Sequence, residues 1–395
     1  MNGNIPLLAE EGAKCEPDRA KRQEKLRRAK RRRRRGGQTG QHGFAELTTP
    51  TLRATPPLRG GEYCSTMHPF ELTKQLMAIP SVTGNERELG EFLVAHLASL
   101  KYRVERQNVT SDRFNVLAFA GDPLVIFCTH IDTVPPSIPV REDDDFLYGR
   151  GACDTKGIIA AMLEAGGRLR SAGTINFGYL FVVGEETDSI GAKTANRLKW
   201  NTEFVIVGEP TQNQLARAQK GTLMVNLRVT GRASHSGYPE FGVSAIQNLF
   251  AVLKDCETAH WGDDPMFGKG TFNTGVFHGG EAANVVPAEA SASIMVRTVE
   301  PRGKVEEKMR RLVENRATME IIGASDPQIT HVVEGFATTV VSFGSDVPYL
   351  GNLGKRLLMG PGSILDAHTP GEKMRKSELM EGADLYEKLV KKLLL

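Results

Sequence analysis

The stretch "PLVIFCTHID" (residues 123–132) decides the fold class of this chain. It is an almost unbroken apolar run, which is typical of a central strand covered by helices on both faces of a parallel sheet. A helical segment (155–173) follows it, and two more buried strands, "NFGYLFVVGEE" (176–186) and "FVIVGEP" (204–210), come after it with a short helix (191–200) between them. Strands and helices in repeated alternation predict an α/β domain with a mostly parallel central sheet.

The pattern changes after residue 214 and changes back near residue 326. The segment "GTLMVNLRVTGR" (221–232) alternates apolar and polar residues, as a half-exposed antiparallel strand does. Two further strands and two amphipathic helices follow it. The sequence therefore predicts an α/β domain in two pieces, 67–214 and 326–395, with an inserted α+β domain over 215–325.

Residues 1–66 differ from the rest in charge and composition. They hold 15 Lys and Arg against 7 Asp and Glu, whereas the other residues hold 35 against 40, so the net charge of +3 hides a mildly acidic body. Low apolar content without periodicity predicts a disordered basic tail. Three explanations stay open: a tail that binds nucleic acid or another polyanion, a solvated tail without a chemical role, or a start assigned upstream of the true one at Met67. The charge of the body argues against a nucleic-acid surface there.

The cysteines and the hydropathy predict a cytoplasmic protein. The five cysteines are scattered, odd in number and without a C-x-x-C pair, so we expect no disulfide framework and a reducing compartment. No run of about eighteen apolar residues occurs, and we therefore expect no membrane span.

Metal-ligand residue types stand just beyond the carboxyl ends of the predicted strands, where open α/β sheets bind their ligands. One buried histidine beside an aspartate is a common structural device, but five such polar clusters in one domain are not explained in that way. Buried carboxylates without partners would cost desolvation and repulsion energy, which a pair of divalent cations removes. Imidazole and carboxylate ligands without a thiolate favour two Zn²⁺ ions, with Co²⁺ or Mn²⁺ as alternatives. These residues are His130, Asp132, Asp154, Glu185, Glu186, Glu209 and His368.

Eight motifs resemble, in their order along the chain, the dinuclear zinc amidohydrolases. That family includes acetylornithine deacetylase, succinyl-diaminopimelate desuccinylase, acetyl-lysine deacetylase, aminoacylases and carboxypeptidases. The resemblance covers roughly residues 68–395, and it implies a zinc-peptidase-like catalytic domain with an inserted lid domain that also forms a homodimer. The motifs are "THIDTVP" (129–135), "GRGACDTKG" (149–157), "GEETDSIGA" (184–192), "GEPT" (208–211), "QKG" (219–221), "GRASHSGYPEFGVSAI" (231–246), "ANVVPAEAS" (283–291) and "GPGSILDAHTPGEK" (360–373).

The resemblance implies five metal ligands. His130 and Glu209 would bind one ion, and Glu186 and His368 would bind the other. Asp154 would bridge the two ions. Each position carries the residue type that the family pattern requires.

The resemblance also implies roles for five residues that bind no metal. Asp132 would orient the neighbouring histidine ligand, and Glu185 would be the general base. His235 would reach the active site of the partner subunit and stabilise the oxyanion there. Asn284 and Arg297 would bind the substrate, arginine being suited to bidentate contact with a carboxylate. On the residues alone, His235 remains explicable as a turn residue and Arg297 as a surface residue at a strand edge.

The function implied is hydrolysis of the amide bond of an N-acyl amino acid, a small molecule. The motifs that contain Glu209 and His368 look closest to acetylornithine deacetylase, which predicts release of acetate from N-acetylornithine in arginine biosynthesis. Alternatives in the same family are an N-acetyl-lysine deacetylase, an N-succinyl-diaminopimelate desuccinylase, and a dipeptidase or carboxypeptidase. An alternative of another class is a non-catalytic protein that binds polyanions through its arginine-rich tail.

Overall fold

The computed structural model describes residues 67–395, so the predicted tail over 1–66 lies outside the described residues. In the described range, no helix has the length and apolar content that crossing a membrane requires. The helices are α1 (Pro69–Ala78), α2 (Arg87–Ser99), α3 (Gly157–Ser171), α4 (Ile190–Ala195), α5 (Ala245–Thr258), α6 (Arg302–Val313) and α7 (Lys376–Leu393). The strands are β1 (Arg103–Asn108), β2 (Phe114–Phe119), β3 (Val125–His130), β4 (Arg141–Glu142), β5 (Phe146–Tyr148), β6 (Phe177–Val182), β7 (Phe204–Val207), β8 (Leu215–Gln219), β9 (Gly221–Thr230), β10 (Ser234–His235), β11 (Asp263–Asp264), β12 (Gly268–Lys269), β13 (Thr271–Gly279), β14 (Val285–Val286), β15 (Glu289–Thr298), β16 (Thr318–Ser325), β17 (Gln328–Ile329), β18 (Thr338–Val341), β19 (Lys355–Leu358) and β20 (Lys373–Arg375).

The largest sheet has the strand order β1-β2-β6-β3-β7-β19-β8-β17, with β18 paired to β8. Its four middle strands, β6, β3, β7 and β19, are parallel to one another. The strands on both sides add antiparallel pairs, so the sheet as a whole is mixed rather than mostly parallel. The β1–β2 pair shows the physical reason, because strands joined by a short loop pair antiparallel and a parallel pair requires a long crossover. The α/β fold class predicted from the sequence is confirmed.

Both faces of the large sheet are buried at its middle strands, which explains the unbroken apolar run that predicted β3. Successive side chains of a strand point to opposite faces, and the neighbours Phe127 and Cys128 of β3 belong to two different core clusters. Phe127 packs with Tyr386 of α7 on one side. Cys128 belongs to the cluster on the other side, which includes Ala192 of α4 and Val347.

A second, four-stranded sheet has the order β13-β15-β9-β16 and is antiparallel throughout. Its strand β9 alternates as predicted, with Leu223, Val225 and Leu227 buried in a cluster with α5 and α6. The segment Leu215–Gln219, which the sequence analysis assigned to the inserted domain, is strand β8 of the large sheet. The second sheet therefore begins at Gly221. The domain boundaries and the part of the insertion in a dimer remain predictions.

Candidate active site

The parallel strands β3, β6, β7 and β19 place their carboxyl ends along one edge of the large sheet. Each of these ends leads into a predicted ligand or the loop that carries it, and the fifth predicted ligand stands in the irregular turn before α3. This is the edge at which open α/β sheets bind ligands. In chain order the five are His130, Asp154, Glu186, Glu209 and His368.

Glycines directly precede the carboxylates at the ends of β6 and β7, and neighbouring side chains crowd both positions. Gly184 has φ 79°, and a Cβ atom there would lie 2.7 Å from Arg113 Nη2. A Cβ atom on Gly208 would lie 2.5 Å from Met162 Cε. Because only glycine lacks Cβ and adopts positive φ without strain, the pattern Gly-Glu at both strand ends has a local structural cause.

The five predicted ligands form two groups that share one carboxylate. His130, Asp154 and Glu209 make the first group, and Asp154, Glu186 and His368 make the second. Within each group, one candidate ligand atom per residue lies within 4.8 Å of the others. His130 Nε2 lies 3.0 Å from Asp154 Oδ1, and His368 Nε2 lies 3.1 Å from Asp154 Oδ2. Each imidazole thus faces a different oxygen of the same carboxylate, as a carboxylate bridging two ions requires.

The two groups differ in their access to solvent. His130, Asp154 and Glu209 are 1%, 5% and 4% exposed. The side chain of His368 is 48% exposed. The first group is therefore shielded from solvent, and the second is open to solvent on the His368 side.

The electrostatics of the site favour bound cations. Burial, followed by the like charge of Glu209, raises the pKa of Glu185 well above its ordinary value. Burial likewise raises the pKa of Glu209 well above its ordinary value. Hydrogen bonds with Asp154 and Glu186 raise the pKa of His368 to about 10. Carboxylates in this setting lack enough compensating positive charge, and divalent cations would supply it. The imidazole and carboxylate donors present fit Zn²⁺ or a similar ion.

Asp132 acts through both its main chain and its side chain. His130 Nδ1 lies 3.0 Å from the backbone carbonyl of Asp132, whereas Asp132 Oδ1 lies 3.6 Å away, beyond hydrogen-bonding distance. The carboxylate accepts the backbone N–H groups of Gly184 and Glu185 at 2.9 and 3.1 Å. It also accepts the N–H of Glu186 at 3.2 Å. The predicted orientation of His130 thus comes from the carbonyl, and the carboxylate holds the loop that carries Glu185.

The sequence analysis missed a buried ion pair that contacts the segment of Asp154. Arg150 Nη1 donates to Glu372 Oε2 at 2.5 Å, and their side chains are 6% and 0% exposed. Glu372 Oε1 accepts the backbone N–H groups of Cys153 and Asp154, each at 3.3 Å. The pair links the segment after His368 to the turn that carries Asp154. In the sequence, the pair is visible only as Arg150 inside the motif "GRGACDTKG" and Glu372 inside the motif "GPGSILDAHTPGEK".

Arg297 lies where the second sheet meets the candidate site. Its Nη1 donates to Thr222 Oγ1 at 3.0 Å, and a Cβ atom on Gly344 would lie 3.3 Å from the same nitrogen. Burial lowers the pKa of the guanidinium, and the charge of Glu185 opposes that change. The guanidinium is thus within range of the Glu185 charge.

His235 and Asn284 lie together but apart from the ligand groups. They stand on the small ribbon of β10 and β14, and both are exposed. The N–H of Gly237 donates to His235 Nδ1 at 3.0 Å, and that of Ser236 donates to the Asn284 carbonyl at 2.9 Å. Within residues 67–395, no hydrogen bond or ion pair joins either side chain to the ligand groups. The oxyanion role of His235 and the substrate-binding role of Asn284 remain predictions.

Residues 126–392 match the model of peptidase family M20/M25/M40. This chain belongs to that family. A peptidase M20 domain-containing protein of Schizosaccharomyces pombe is 37% identical over 368 residues, which cover 89% of this chain and 90% of the relative. A probable carboxypeptidase of Aspergillus clavatus is 35% identical over 365 residues, covering 81% of this chain and 88% of the relative.

Solved structures share the M20 fold. A metallo-carboxypeptidase of Sulfolobus solfataricus superimposes with a TM-score of 0.68 at 16% identity, covering 82% of this chain and 99% of that one. A dinuclear metal-binding peptidase of Bacillus subtilis gives 0.60 at 15% identity, covering 82% and 97%. The M20 protein is thus a member of a metallopeptidase family, whose enzymes hydrolyse amide bonds. The specific closeness to acetylornithine deacetylase predicted from the sequence is not shown by these matches.

Proposed function

We propose that this M20 protein is a metal-dependent carboxypeptidase or dipeptidase that acts on short peptides with a free C-terminal carboxylate. The observation that carries the proposal is the pair of ligand groups sharing Asp154, with Glu185 beside them and Arg297 nearby. Relatives named probable carboxypeptidases support it. Deacetylation of N-acetylornithine stays the alternative. It would need the same residues, because that substrate also has an amide bond close to a carboxylate.

The first group would hold one Zn²⁺ and the second group the other, with Asp154 shared between them. The fold relative described as a dinuclear metal-binding peptidase supports the number two. Two bound ions would polarise the scissile carbonyl and lower the pKa of a water toward neutrality. Zinc is favoured by the donor set, with Co²⁺ or Mn²⁺ as alternatives.

The side chains of the site divide the proton transfer and the binding between them. Glu185 would accept the proton of the attacking water and give it to the leaving amine, as a general base and acid does. Arg297 binds the substrate carboxylate in bidentate geometry. Asn284 would join it when the insertion closes over the substrate.

We further propose that the chain forms a homodimer through the insertion and that His235 acts in the partner subunit's site, where it stabilises the oxyanion. Tyr238 and Phe241, close to His235, are 60% and 67% exposed, and Phe250 on α5 is 58% exposed. Strand β13 forms one edge of the second sheet and has no strand on its outer side among the described residues. A second copy would cover these groups.

Light scattering should give a mass of twice the 43.2 kDa chain, and a monomer at micromolar concentration would count against the dimer. The cytoplasmic setting and a polyanion-binding tail stay predictions.

A substrate panel tests the proposed function. The zinc-loaded full chain is assayed against dipeptides, tripeptides, the same peptides with C-terminal amides, N-acetylornithine and N-succinyl-diaminopimelate. We expect cleavage of the free-acid peptides and a loss on the order of 100-fold in kcat/KM upon amidation, because the half-buried Arg297 loses its charged partner. Activity confined to N-acetylornithine would restore the prediction from the sequence. Inactivity on every compound would refute the proposed function.

A further inference from the structure

A short segment after α1 lies directly beside the residues that follow His130. Val82 pairs in parallel with Thr133. The N–H of Thr133 donates to the Ser81 carbonyl at 3.0 Å, and the N–H of Thr83 donates to the Thr133 carbonyl at 3.2 Å. These contacts place the Thr83 side chain next to Asp132.

Thr83 completes the hydrogen bonding of the Asp132 carboxylate. Its Oγ1 donates to Asp132 Oδ2 at 2.7 Å. Asp132 is 0% exposed, and its two oxygens also accept the three N–H groups of Gly184, Glu185 and Glu186. Charge-assisted hydrogen bonds are the strong ones in proteins. A carboxylate with four donors from two segments therefore locks those segments together.

The position of the Glu185 side chain depends on these hydrogen bonds of Asp132 more than that of Glu186 does. The side chain of Glu186 has its own partner, because His368 Nε2 lies 3.1 Å from both carboxylate oxygens. In residues 67–395, the only hydrogen bond of Glu185 to Asp132 or another side chain runs through its backbone N–H. The direction of the Glu185 carboxylate is thus set by its backbone.

We infer that Thr83 is a positioning residue for the general base: it fixes the Asp132 carboxylate, which fixes the backbone of Gly184–Glu186 and thereby aims Glu185 at the reacting water. The inference rests on the proposed function for the role of Glu185. A misaimed base lowers the rate of the proton transfer without weakening substrate binding. A merely structural threonine would lower stability alone.

The test compares three variants of the zinc-loaded full chain. Thr83→Val removes the hydroxyl at nearly constant volume, and Thr83→Ser keeps it. Thr73→Val is the matched control, because Thr73 is 0% exposed and its hydroxyl bonds the Pro69 carbonyl of α1, away from the site. The readouts are kcat, KM, bound zinc, and hydrogen–deuterium exchange of the peptide that contains Gly184–Glu186.

We expect Thr83→Val to lower kcat about tenfold with KM and zinc content unchanged. The amides of Gly184–Glu186 should exchange faster in that variant, because their common acceptor is freed. Thr83→Ser should restore both readouts, and Thr73→Val should change neither.

Wild-type kcat and wild-type exchange in Thr83→Val would overturn the inference. So would faster exchange spread evenly over the whole chain, which would show a general loss of stability. If the wild-type chain hydrolyses no compound of the panel, the proposed function fails separately, and the exchange of Gly184–Glu186 alone decides whether Thr83 holds the loop.

Discussion

Adjacent glutamates with opposite surroundings stand at the end of β6. Glu186 faces His368, with 3.1 Å between its carboxylate oxygens and the Nε2 atom. The carboxyl group of Glu185 ionises less readily than usual, because burial and the charge of Glu209 raise its pKa. Both residues lie in the turn after β6 rather than in an extended strand, and their different partners, not strand alternation, let one carboxylate bind metal while the other carries a proton.

Two single substitutions test this division at the residue scale. We expect Glu185→Gln to keep both ions and lose about 10³-fold in kcat, because the amide cannot accept the proton. Glu186→Gln should bind one of the two ions at least about tenfold more weakly, since its group loses an anionic ligand. Zinc content by elemental analysis, measured with kcat on the same samples, checks both. Near-normal turnover in Glu185→Gln would end its assignment as the base.

The sequence predicts the ligands better than the residues that hold them. His130 and Glu209 stand at the ends of apolar strands, where a polar residue is conspicuous. Thr83 gives no such signal, because it reaches Asp132 across 49 positions of the chain and has no periodic pattern around it. Contacts of this kind depend on the three-dimensional path of the chain.

At the scale of elements, the Arg150–Glu372 pair joins two of the three ligand segments of the second group, those that carry Asp154 and His368. The loops lie more than 200 positions apart, and the pair is fully desolvated. Removing one partner of a buried ion pair leaves an uncompensated charge, which costs about 3–5 kcal/mol. We therefore expect Glu372→Gln to lower the melting temperature of the metal-free protein and to weaken zinc binding.

A double variant separates the two effects. Arg150→Met combined with Glu372→Met removes both charges, and apolar replacement of a buried pair is often close to neutral in stability. We expect it to recover much of the melting temperature, but not the zinc affinity, because the N–H groups of Cys153 and Asp154 lose their acceptor. Calorimetric titration with zinc measures the affinity. Full recovery of zinc binding in the double variant would mean that the pair stabilises the fold without positioning Asp154.

The strands at the middle of the large sheet are easier to predict than those at its sides. The middle strands β3, β6 and β7 are buried along their whole length and are apolar apart from the end of β3, because both faces are covered. Strand β1, "RVERQN", is mostly exposed, so its sequence resembles that of a loop. Strand β8 was assigned to the insertion because it directly precedes β9 in the chain. The sheet to which a strand belongs is decided by the strands it pairs with, and the local sequence does not show which strands those are.

At the scale of the whole molecule, the exposed His235 bears on whether one chain makes a complete site. If His235 acts across a dimer, inactive Glu185→Gln and His235→Ala chains complement each other when mixed. Each mixed dimer would contain one intact site, so random exchange of subunits should restore about a quarter of wild-type activity.

The control for this mixing experiment is the Glu185→Gln chain mixed with a chain that carries both substitutions. No intact site can form in that mixture, and it should stay inactive. Absence of recovery in the first mixture, with subunit exchange verified by mass, would show that His235 has no role in the partner's site.

The central claim is that the two groups sharing Asp154 form a dinuclear hydrolytic centre. The most direct measurement is a zinc titration of chelator-treated protein, with peptidase activity and bound zinc followed together. We predict no activity in the metal-free chain and a rise to a plateau at about two equivalents per chain, with no recovery in Asp154→Ala. Full activity without metal, or a plateau at one equivalent, would contradict the account.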